Sequence, residues 1–151
     1  MKTKKICAVA SIGGHWIQLL RIIRPLEQKY DITYISTHPK CSTMVCGQKF
    51  FLIKDFNRWN FYLIFPTFLQ VLKILYKESP DIVISTGAAP GLITLLTAKL
   101  LNKKTIWIDS IANVEHLSFS GKIASKFVSQ LYTQWEDLSN NKILYKGNIF
   151  G

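Results

Sequence analysis

Residues 11–16 read SIGGHW. Gly13 and Gly14 can take backbone angles that turn the chain sharply and bring it close to a ligand. At the start of a helix, such a turn presents unpaired N–H groups and the positive end of the helix dipole, which attract phosphate. His15 follows, and its side chain type titrates near neutral pH, so beside an anion site it can take a proton from a hydroxyl. A structural histidine on an empty strand-to-helix turn is the plainer reading of the same residues. STGAAPG at 85–91 repeats the pattern of small residues before a helix. There Ser85, Thr86 and Gly87 can line a polar pocket, or simply make a turn. DSIANVEHLSFSGK at 109–122 is dense in hydrogen-bonding groups. Asp109, Ser110 and Asn113 can hold sugar hydroxyls and Glu115 can serve as a second base; equally, Asp109 can cap its own loop.

These three stretches follow strand patterns. Lys5–Ser11 is apolar on both faces, as a buried strand must be. Asp31–Thr37 alternates with β-branched residues, Phe50–Ile53 is a short third strand after a loop at 40–49, and Asp81–Thr86 and Lys104–Asp109 complete the clear set. QLYTQ and KILYKG follow near the end. Helices are expected over about Gly14–Lys29, shortened or kinked at Pro25, from Pro90 to about Leu101, and over roughly Gly121–Val128. Strands alternating with helices imply an α/β fold, a Rossmann-like parallel sheet flanked by helices, in one domain over 1–151. Ligands in such sheets sit at the carboxyl ends of the strands, where all three stretches fall. The GxGxxG spacing and acidic ribose ligand of a dinucleotide enzyme are missing, which disfavours a stand-alone Rossmann dehydrogenase.

Nineteen Lys and Arg against nine Asp and Glu give a net charge of +10, which favours anionic partners. The basic start has an apolar run too short and too broken for a signal peptide. Three cysteines, Cys7, Cys41 and Cys46, have no framework spacing, which points to a reducing compartment. His38, Cys41 and Cys46 lack a fourth ligand, so no metal is expected.

Nine of the chain's aromatics fall between Phe50 and Tyr76, accompanied by Lys49, Lys54, Arg58, Lys73 and Lys77. The run is too short for a span, which needs about 20 apolar residues, and Pro66 and Lys73 interrupt it. Arg58, Trp59, Phe61, Phe65 and Phe68 suit an interfacial contact with an anionic membrane. Packing inside the domain or against a partner is the alternative. Because the aromatics cluster in an apolar segment rather than on a basic strand platform, nucleic acid is not an expected partner.

Taken in order, SIGGHWIQLL, DIVISTGAAPG, IWIDSIANVEHLSFSGKI, YTQWEDL and YKGNIF resemble the membrane-associated subunit of two-component UDP-sugar glycosyltransferases. Its eukaryotic member recruits the partner that adds the second GlcNAc to a dolichol-linked glycan precursor, and bacterial relatives serve capsule and exopolysaccharide synthesis. The resemblance implies the N-terminal, acceptor-side half of a split GT-B glycosyltransferase. The UDP-sugar would be a substrate held mainly by a separate donor-binding subunit, with no cofactor. The acceptor would be a polyprenyl-diphosphate-linked sugar at the cytoplasmic face of the plasma membrane. Gly13, Gly14 and His15 match the family's first loop, Ser85, Thr86, Gly87 and Pro90 its second, and Ser110, Glu115, Ser118 and Gly121 its third. Gln134 and Trp135 match a late packing motif. Asp109 stands where glutamate is common, and Glu136 where proline is frequent. A non-catalytic adaptor that brings a self-sufficient partner to the membrane is the competing reading.

Overall fold

The computed structural model describes residues 3–151. Seven strands form one sheet: β1 (Lys5–Val9), β2 (Asp31–Ser36), β3 (Lys49–Leu52), β4 (Ile82–Ser85), β5 (Lys104–Ile108), β6 (Gln130–Thr133) and β7 (Ile143–Tyr145). Their spatial order is β3-β2-β1-β4-β5-β6-β7, and every pairing is parallel. Parallel neighbours need crossovers, and four helices supply most of them: α1 (Gly14–Ile23), α2 (Ile64–Glu78), α3 (Ala89–Leu100) and α4 (Phe119–Ala124).

The two apolar faces of β1 explain the layers. Ile6 and Ala8 pack with Trp16, Leu19, Leu20 and Ile23 of α1. Cys7 and Val9 face the other way, against Val71 and Leu75 of α2 and Leu95 of α3. Each fully buried side chain of this size contributes about 1.5–3 kcal/mol by leaving water. Burial also pushes the Cys7 thiol far up, so it is a neutral core group rather than a nucleophile. Among the described residues, no group of three or more His, Cys, Asp or Glu could hold a metal ion.

Several boundaries differ from expectation. Helix α1 stops at Ile23, and Arg24–Leu26 tightens into a 3-10 turn around Pro25, which lacks an N–H to continue the ladder. Pro39–Met44 also forms a 3-10 turn where a loop is expected. Helix α4 begins at Phe119, two residues early, because Ser118 caps it by accepting the Gly121 N–H. Pro66 sits in the first turn of α2, where its missing N–H costs nothing.

Candidate functional site

The chain runs from β1 outward to β2 and β3, then returns to place β4 on the other side of β1. Val9 therefore pairs with both Ile35 and Ser85. This reversal of strand order opens a crevice at the carboxyl edge, between β1 and β4. Both following helices, α1 and α3, point their N-termini at it, and neither receives a side-chain cap. Their first N–H groups are thus left for an external acceptor.

Gly13 has φ +106°, and a Cβ built at Gly13 or Gly14 would meet nothing within 4 Å, so space lies in front of this turn. Ala88, with φ 70° and ψ 167°, occupies a region that is essentially reserved for glycine. Such strain costs about 1–3 kcal/mol and persists only where surrounding contacts hold it. One such contact is reciprocal. The Thr86 hydroxyl donates to the His15 carbonyl at 2.6 Å, and His15 Nδ1 lies 3.2 Å from the Thr86 carbonyl. A carbonyl only accepts, so Nδ1 carries the hydrogen in this bond and the neutral ring keeps its lone pair on Nε2. Gly87 makes room for the ring: a Cβ there would overlap His15. His15, Gly13, Gly14, Thr86 and Gly87 therefore meet at the crevice. Ser85 is fully buried; its hydroxyl accepts the Gly87 N–H and packs where a Cβ on Gly91 would lie.

The loop after β5 is built differently. Asp109 is buried, and its carboxylate accepts from Trp107 Nε1 (2.9 Å), Asn113 Nδ2 (3.0 Å), the Ser118 N–H (3.0 Å) and the Ser118 hydroxyl (2.6 Å). Asp109 and Asn113, expected as ligand-binding residues, thus spend these polar groups on each other and on the loop. The cause is burial, which makes an unpaired carboxylate too costly. Ser110 likewise bonds the Ala112 N–H of its own turn. Glu115 is exposed beside a shallow cavity of about 300 Å³ formed by Ala112–His116. Among the described residues, no hydrogen bond joins Glu115 to His15 or to the two open loops.

Sequence reasoning overlooked Gln18. Its side chain is buried; Nε2 donates to the Asp109 carbonyl at 3.3 Å and Oε1 accepts the Ile111 N–H at 3.0 Å. Gln134 donates to the same carbonyl at 3.0 Å and accepts the Ile149 N–H. Trp135 Nε1 bonds the Ile111 carbonyl at 2.8 Å. The available signal was a polar residue inside the apolar face of WIQLL, three positions past His15.

The aromatic segment divides. Trp59 is 80% exposed, Phe61 66%, Tyr62 69% and Phe65 66%, and the Arg58 guanidinium lies 5.2 Å above the Trp59 ring. These residues precede or open α2, so they lie on the carboxyl edge that also carries the crevice. Phe68 is only partly exposed, adjoining the buried line Thr67, Val71, Ile74 and Leu75. Phe56 is buried. The segment is therefore amphipathic, one face in the core and one face bare. Among the described residues, no helix is long and apolar enough to cross a membrane.

The sequence profile of the family described as "Oligosaccharide biosynthesis protein Alg14 like" matches residues 59–149. The UDP-N-acetylglucosamine--N-acetylmuramyl-(pentapeptide) pyrophosphoryl-undecaprenol N-acetylglucosamine transferase of Staphylococcus aureus strain MRSA252 is 24% identical over 155 residues, covering 93% of this chain and 43% of that relative. The same enzyme of strain JH9 is 30% identical over 95 residues, covering 63% of this chain and 26% of the relative. The chain thus spans less than half the length of these curated relatives. Among solved structures, Acinetobacter baumannii MurG superposes with a TM-score of 0.80 at 14% identity, over 96% of this chain and 46% of that one. UDP-N-acetylglucosamine 2-epimerase from Rickettsia bellii gives 0.77 at 14% identity, over 99% and 46%. At these identities the two structures speak for the fold.

Proposed function

From a chain that belongs to the Alg14-like family of oligosaccharide biosynthesis proteins, we propose the acceptor-side half of a UDP-sugar-dependent glycosyltransferase acting on a polyprenyl-diphosphate-linked sugar. The observation that carries this reading is the crevice itself: His15, its Nε2 lone pair free, stands between two uncapped helix N-termini. Helix starts of this kind receive diphosphate, and a histidine beside them can activate a hydroxyl.

The acceptor's diphosphate rests on the N–H groups opened by Gly13 and Gly14. His15 Nε2 takes the proton of the acceptor hydroxyl as its oxygen bonds to the anomeric carbon, and the bond from that carbon to UDP breaks. Glu115, exposed on the third loop, is the alternative base. UDP-sugar is held by a separate donor-binding subunit. Inversion at the anomeric centre is the expected stereochemistry.

Trp59, Phe61 and Phe65, with Arg58 beside them, rest on anionic lipid and hold the crevice at the cytoplasmic face of the membrane, where the acceptor resides. Bacterial capsule or exopolysaccharide synthesis is the setting that suits these parts.

The deciding experiment combines the chain with a donor-binding partner, radiolabelled UDP-sugar and lipid-linked acceptor. Labelled lipid product from the pair, and none from either chain alone, is expected. Product from the partner alone on a soluble acceptor would reduce this chain to an adaptor and overturn the reading. For the membrane contact, replacing Trp59, Phe61 and Phe65 with Ser should abolish sedimentation with anionic liposomes. Because all three are exposed, unfolding free energy should move by no more than about 0.5 kcal/mol for each.

A further inference from the structure

Gln18 lies one helical turn beyond His15 on α1, since residues three apart share a helix face. It is the only polar member of the buried face that otherwise consists of Trp16, Leu19, Leu20 and Ile23. Both ends of its amide are used, and both bonds go to the backbone of the loop that carries Asn113 and Glu115: the Asp109 carbonyl and the Ile111 N–H. The separations in sequence are 91 and 93 residues, so these bonds do nothing for local helix formation. Gln134 and Trp135 grip the same stretch from the end of β6. Of the three side chains, only Gln18 comes from the helix that bears His15.

A leucine here would pack as well as its neighbours and would avoid burying an amide. The amide's use is therefore geometric. It fixes the height and register of the loop against α1, and with them the separation between His15 and the residues opposite. We propose that Gln18 is a positioning residue for sugar transfer, which keeps the Ser110–Leu117 loop and the His15 helix in one arrangement across the acceptor site; this rests on the glycosyl-transfer reading above. Errors of about 1 Å in such sites can cost on the order of 100-fold in rate.

The test uses Gln18→Met, close in shape but without either bond, and Gln18→Glu, which keeps the acceptor for the Ile111 N–H and loses the donor. Each is combined with the wild-type partner. Hydrogen exchange of the 110–117 amides and steady-state kinetics are measured together. Gln18→Met should speed exchange in that loop at least about tenfold and lower kcat by roughly 10–100-fold, with KM for UDP-sugar unchanged. Gln18→Glu should fall between Met and wild type in both measurements. A loosened loop with turnover within about twofold of wild type would overturn the positioning role and leave the transferase reading standing. Absence of product from the wild-type pair would instead remove the transferase reading, and this role with it. Should Gln18→Met not fold, Gln18→Glu carries the same two expectations at smaller size, and unchanged exchange and kcat in that variant would equally overturn the role.

Discussion

Two loops at the β1–β4 switch point and one loop at the end of β5 share an edge of the sheet but solve opposite problems. The first two leave their helices uncapped, strain Ala88, and keep open space before Gly13 and Gly14. The third satisfies itself: four donors converge on one buried carboxylate, and Ser118 caps α4. Unsatisfied backbone donors are tolerated only where water or a ligand can reach them, whereas buried polar groups are paired. The contrast separates a crevice with open backbone donors from a loop that holds its own shape, although all three loops are rich in the same small and polar residues.

The sharpest way to break this contrast is at His15. His15→Ala should lower transfer by the reconstituted pair about 10²–10⁴-fold with complex formation intact. Near-normal turnover would move the chemistry out of the open crevice and favour Glu115. Next in size is Asp109→Ala, which strands Trp107 Nε1, Asn113 Nδ2 and both Ser118 donors around a void. Its cost should be about 3 kcal/mol or more in urea unfolding. A loss below about 1 kcal/mol would show that the third loop is not locked by this carboxylate. Gly87→Ala should be smaller, about 1–3 kcal/mol, because it forces a Cβ against the His15 ring at a φ of +147°. It should also depress transfer, by displacing the ring, and a variant that unfolds normally and turns over normally would argue that the ring need not stay where Thr86 holds it. Similar in size to Gly87→Ala is Ser118→Ala, which removes the cap of α4 and one of the four donors to the buried Asp109 carboxylate and should cost about 2 kcal/mol. Thermal unfolding of the two proteins side by side would measure it.

Much of the fold was legible because the central strands had to be apolar on both sides. Lys5–Val9 and Asp31–Ser36 bury nearly every residue, and that requirement writes itself into consecutive Ile, Val, Ala and Tyr. The open loops were legible for a related reason: a sharp turn with positive φ favours glycine, so Gly13 and Gly87 stand out, with Gly14 beside the first. The sequence does not separate the buried Phe56 and partly buried Phe68 from the exposed Trp59 and Phe61, since an aromatic residue has one composition whether it faces the core or the solvent. Only the packing of α2 and of the segment leading into it against the sheet sorts them. Asp109 was left open between ligand and cap for the same kind of reason, because an aspartate in a polar loop does not reveal which donors will reach it.

By itself the sequence determined the alternation of strands and helices and the parallel sheet which that alternation, with its right-handed crossovers, implies. These depend on local periodicity and backbone chirality, which are properties of neighbouring residues. Tertiary structure alone decided that Thr86 fixes the His15 ring, that Asp109 is consumed by its own loop, and that Gln18 reaches a loop more than ninety residues away. Hydrogen-bond partners depend on distances of a few tenths of an ångström between segments far apart in the chain, and packing of the whole sheet sets those distances.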